Sequence, residues 1–168
     1  MLRRDYLLKL IQDLFASIAA LLEGDVDEAE RQREIEALYA TFGNNKDFFR
    51  QAEEEDIVTA VAENAAESQG VAADKLSVKN MEQRLELMAA LLYADFKVSD
   101  LSPGLRKDVA LRSWGIYNRV EAMSDTFSQE RQERIDELRV FLSAASEWRK
   151  AIFKHNNVTF SVKSWLSR

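Results

Sequence analysis

A chain of 168 residues, 46% of them hydrophobic, with a net charge of −6 and no cysteine, has enough apolar mass for one core and no sulfur for a disulfide, a thiol nucleophile or a thiolate metal site. The negative balance opposes nucleic-acid binding, which draws its affinity from clustered Lys and Arg. Only five Gly and one Pro, Pro103, interrupt the chain, so helices joined by short turns are expected.

The first apolar stretch, Leu7 to Gly24, follows a basic start. Lys9, Gln12 and Asp13 break the run that a secretory signal needs. The cleaner piece, Phe15 to Leu22, falls short of the roughly 20 residues that cross a bilayer. Leu7, Ile11, Leu14, Ile18 and Leu21 step by four and three, an amphipathic helix from about Arg4 to Glu23 whose stripe must be covered by protein. Gly24 is expected to end it in the left-handed conformation. Asp25, with Glu28 three residues on, is the expected cap of a second helix reaching about Phe42, and the two helices are expected to form an antiparallel hairpin.

Asn44 and Asn45 mark a turn, and a short helix carries Phe48 and Phe49. The acids Glu53 to Asp56 suit the first turn of a fourth helix, where they meet the positive end of the helix dipole. That helix presents Ile57, Val61, Ala65 and Ala66 and ends near Gly70. VAADKLSVKN, starting at Val71, reads as a connection and an internal hinge near residues 70–78, within a single helical domain spanning 1–168. The fifth helix, about Val78 to Phe96, is apolar on two sides and therefore central. Ser102 and Pro103 begin the sixth as cap and first-turn proline, with Val109, Trp114, Ile116, Tyr117 and Val120 along it. Ser128 begins the seventh, where Ile135, Leu138, Leu142 and Ala145 repeat at three and four; Trp148 and Ile152 are candidates to extend it. The tail from Val158 reads equally as a short strand or a helical turn, and its Trp165 as an anchor on the first helix or on a second subunit.

Chemistry-bearing patterns are few. His155 is the one histidine and has no neighbouring ligand types for zinc. There is no Gly-rich phosphate cradle, nucleophile elbow or E-x-x-H pair. Glu82 with Glu86, and Glu133 with Glu137, share helix faces and read as solvated pairs. Acids gather between Glu53 and Glu67, and bases between Arg139 and Arg168, opposed segments able to meet within or between chains. Trp114 and Tyr117, with Met88 and Leu92 of the fifth helix, are the candidate lining of a groove for a partner helix or peptide.

The turn EGDVDEAE, Glu23 to Glu30, resembles the turn of a tetratricopeptide repeat, with Gly24, Asp25 and Ala29 in the matching places. Arg33 and Glu36 depart from that pattern, no proline closes the unit and there is no 34-residue self-similarity. RRDYLLKLI from Arg3 and TFSQERQERIDEL from Thr126 are similar to an uncharacterised bacterial family of TPR-like helical proteins, over roughly Met1 to Leu142. The resemblance implies an all-α, TPR-like array of antiparallel hairpins with about seven helices, and brings no catalytic residues. The resulting expectation is a cytoplasmic protein–protein interaction or scaffold module rather than an enzyme. It uses no cofactor, and its partner is a protein or peptide, including a second copy of the chain. Neither nucleic acid nor membrane is expected as a partner. The alternative is a small-ligand binder or enzyme with a carboxylate-lined pocket.

Overall fold

The computed structural model describes residues 2–24 and 26–155, with side chains over 5–24 and 26–146. Asp25, Trp165 and the rest of 156–168, and the side chains of Trp148, Ile152 and His155, lie outside the described residues. Seven α-helices account for the described chain: α1 (Leu2–Glu23), α2 (Glu28–Ala40), α3 (Lys46–Gln51), α4 (Glu54–Gln69), α5 (Val78–Val98), α6 (Pro103–Met123) and α7 (Gln129–His155), with one 3-10 turn at Ala73–Lys75. No strand is present among them.

Short polar residues start the helices as their chemistry requires. Asn45, Ser77, Ser102 and Ser128 accept the backbone N–H of Phe48, Asn80, Leu105 and Arg131, each satisfying one donor that the first turn leaves orphaned. For α2 the cap is Asp27, which accepts from the Glu30 N–H at 2.9 Å, so the helix starts later than a cap at Asp25 would place it. Gly70 closes α4 with φ +66° while the Val71 N–H returns to the Ala66 carbonyl, the left-handed cap that glycine permits. Gly24 departs from expectation. It is not among the left-handed glycines; it is required by space, because a Cβ there would lie 2.7 Å from the Ala20 carbonyl oxygen.

The centre of the molecule is α5, buried without a break from Leu87 to Phe96 and flanked by α1, α2, α4 and α6. It runs antiparallel to α6: Ser113 Oγ donates to the Ala89 carbonyl at 2.8 Å, and Arg106 reaches back to the Phe96 and Ser99 carbonyls. The stripe of α1 is covered as its spacing demands. Ile11, Leu14, Ile18 and Leu21 are all buried, and each contributes about 1.5–3 kcal/mol relative to exposure. Its cover differs from the hairpin expectation, since α1 packs along α5 rather than along α2, and Ala29 stays exposed. No helix among the described residues is long and apolar enough to cross a membrane.

One apolar cluster draws on all seven helices. The connection 70–77 therefore joins parts of one core, with its 3-10 turn resting on α4. Polar bonds lock α2 and α3 to α5. Asp95, fully buried, accepts Nε and Nη2 of Arg50 at 2.7 Å each, the Tyr39 hydroxyl at 2.7 Å and the Ser99 hydroxyl at 2.5 Å. Burial works against the Arg50 charge, but the Asp95 bonds outweigh it and its pKa is raised. Burial, then the nearby Asp95 charge, keeps the Tyr39 hydroxyl protonated far into the alkaline range.

Candidate functional site: a cleft between α1 and α7

The groove expected around Trp114, Tyr117, Met88 and Leu92 is not a surface. Met88 and Leu92 are 0% exposed and Tyr117 1%, because α5 is enclosed on every side and the inner face of α6 is pressed against it. Trp114 is half-buried against the same core. Large apolar side chains at helical spacing on a central helix serve packing first.

The structure opens a cleft of about 360 Å³ elsewhere, with α1 as one wall and α7 as the other. Phe15, Ala16, Ile18 and Ala19 form the apolar wall; Ser128, Glu130, Arg131 and Arg134 form the polar one, over a floor of Glu86 from α5 and Tyr117 from α6. The apolar wall exists because α1 spends its main stripe on α5 and turns its small residues Ala16 and Ala19 outward. Phe127, next to the lining residue Ser128, is 77% exposed. Tyr117 is thus part of a site, though as a floor seen through its hydroxyl rather than as an exposed ring.

Charges on the polar wall are spoken for. Arg131, 3% exposed, donates to Glu121 at 2.6 Å, to Glu86 at 3.0 Å and to the Thr126 carbonyl at 2.8 Å. Arg134 donates to the Tyr117 hydroxyl at 3.0 Å and to Glu130, and its guanidinium stands 4.9 Å from the centre of the Tyr93 ring. Desolvation pushes the Tyr117 hydroxyl up to about 12 despite the opposing Arg134 charge. One turn further, Glu137 accepts from both Tyr93 and Lys97. Burial raises its carboxyl, but those bonds and the Lys97 charge more than offset this, and it sits below the ordinary carboxylate range.

This ladder corrects the reading of the glutamates. Glu86 and Glu137 are ion-paired supports of α7, whereas Glu133 is exposed and takes a bond from Gln129. The acidic and basic segments do not meet as blocks among the described residues, for Glu54 and Glu55 pair with Arg119 of α6. Arg131 and Arg134 were not singled out by sequence. The available signal was their spacing of three beside Ile135 and Leu138, which turns both toward the packed side of α7.

Each carboxylate lining the cleft is paired with an arginine, and no group of three metal-ligating side chains gathers among the described residues. A second depression of about 360 Å³, where the α5–α6 turn meets Phe141 and Ala145, is lined chiefly by apolar residues. In comparisons with known proteins, no family model, no curated protein and no solved structure matches the chain.

Proposed function

We propose that this chain is a protein–protein interaction module of the TPR-like helical kind, acting in the cytoplasm, and that a peptide or helical segment of a partner protein seats between α1 and α7. The observation carrying this reading is the pairing of an open apolar wall, Phe15, Ala16 and Ala19, with a polar wall whose charges are neutralised inside the chain. A small ionic ligand would have to break Arg131–Glu86 or Arg134–Glu130 to be held, whereas apolar side chains of a partner fill the space at no such cost. A cleft of this volume lies near the lower end of small-molecule sites, roughly 300–1,000 Å³, and suits two or three inserted side chains. The array of helices around α5 supplies the rigid scaffold such a seat needs.

A photo-crosslinking residue placed at exposed Ala16, with exposed Ala37 of α2 as control, tests the reading. The expected result is capture at position 16 alone. The captured segment, made as a synthetic peptide, then binds the wild-type chain, and Ala19→Arg weakens it tenfold or more. Equal capture at both positions, or a peptide indifferent to Ala19→Arg in a variant with unchanged helicity, overturns it.

A further inference from the structure

α5 carries a charge that none of the described residues answers. Arg84 of α5 is 4% exposed, and its Nε and Nη2 are sealed from solvent with no hydrogen-bond partner. Burial is what lowers its pKa, with no carboxylate contributing. Glu82 and Glu86 stand two positions to either side, about 200° around the helix, and Glu86 is committed to Arg131. One turn before Arg84, on the same face, Asn80 has a buried Oδ1 without a partner. Its Nδ2 is not among the sealed atoms and presents N–H donors on the open side of the amide.

A sealed guanidinium with no counter-charge is costly, and an external anion removes the cost. The unanswered nitrogens of Arg84 are donors, and Asn80 one turn away adds the donor Nδ2, which is not sealed. Arg84 Nη1, alone among the three nitrogens, is not sealed, which gives the charge its outlet. We propose that Arg84 and Asn80 form a binding point for one oxyanion, a carboxylate or phosphate group brought from outside the chain, met by Arg84 at Nη1 and by Asn80 at Nδ2. The point lies on the side of α5 away from Glu86 and does not depend on the α1–α7 cleft.

The direct probe is the Nε–Hε signal of Arg84 in the full chain, followed by NMR while acetate or inorganic phosphate replaces chloride at constant ionic strength. A saturable shift at Arg84, without parallel movement at the exposed Arg33 and Arg139, is the expected result, and Asn80→Ala weakens it about tenfold, the scale of a hydrogen bond to a charged group. Saturation by acetate and by a peptide carboxylate identifies a protein-borne group; saturation by phosphate alone identifies a phosphate-bearing ligand. Melting temperature gives a second readout: either anion raises it in wild type and leaves Arg84→Met unmoved. No saturable shift with either anion, or a shift shared by Arg33 and Arg139, overturns the proposal. Because the primary signal is read on the wild-type chain, misfolding of a variant does not obscure the outcome.

Discussion

Asp95 and Arg84 lie on one face of α5, eleven positions and about three turns apart, both shut away from water and treated in opposite ways. Asp95 receives four hydrogen bonds from Arg50, Tyr39 and Ser99; Nε and Nη2 of Arg84 find no acceptor among the described residues. The two burials look alike by exposure alone. They differ in which helix ends arrive opposite them. At the Asp95 level α2 and α3 bring an arginine and a tyrosine to bond distance, while at the Arg84 level no carboxylate is brought near. A buried charge is an anchor where its partners come from the same fold and a cost to stability where they do not.

Substitutions that break or sharpen this contrast differ in sign as well as size. Asp95→Asn leaves the Arg50 charge buried without its counter-ion and is expected to cost about 3–5 kcal/mol in urea unfolding; a loss below about 1 kcal/mol would mean the cluster is not closed. Between the two charges, Met88→Ala is expected to cost about 2–5 kcal/mol, whereas Met88→Leu costs less than about 1.5 kcal/mol. An exposed groove residue would show neither loss. Arg84→Met runs the other way, gaining about 1–3 kcal/mol in chloride by removing unsatisfied donors, and equal destabilisation by Asp95→Asn and Arg84→Met would erase the distinction.

The smallest effect belongs to a half-exposed pair. The folded carboxyl of Glu137 titrates below its unfolded value, so its contribution is complete above the unfolded carboxylate range, near about 4.3, and is lost as pH falls through the folded value. Its side chain is 40% exposed, which lets solvent screen the pair. Glu137→Gln should therefore flatten the acid limb of the stability–pH curve slightly and leave the curve parallel to wild type above about pH 6. Tyr117 acts at the opposite end. With its hydroxyl held up to about 12, the unfolded chain loses that proton first, and stability declines as pH rises from about 10.

How far the residues announced all this depends on whether the cause was local. The stripe Ile11, Leu14, Ile18, Leu21 and the Ser102–Pro103 start were readable because a helix face and a helix cap involve neighbours within four positions. The fifth helix, apolar on two sides between Val78 and Phe96, reads as central from its pattern alone, and its stretch from Leu87 to Phe96 is buried throughout. That enclosure is why Met88 and Leu92 do not form a groove, a consequence the pairing with Trp114 and Tyr117 missed. At Gly24 the local pattern predicts a left-handed cap, whereas the glycine is required by a carbonyl one turn back. The cleft was illegible, since Phe15 and Arg134 are distant in sequence and meet only once α1 has chosen α5 over α2.

Local chemistry along the chain settles an all-α fold over the described residues, the order of the seven helices there, most of their ends, and the faces they must bury, because spacing, caps and breakers act over one or two turns. The choice of neighbours belongs to the folded whole: α1 beside α5, Asp95 opposite Arg50, Arg131 between Glu86 and Glu121, and Arg84 opposite no carboxylate among the described residues. Those contacts join residues tens of positions apart, and their free energy exists only when several helices close on α5 together.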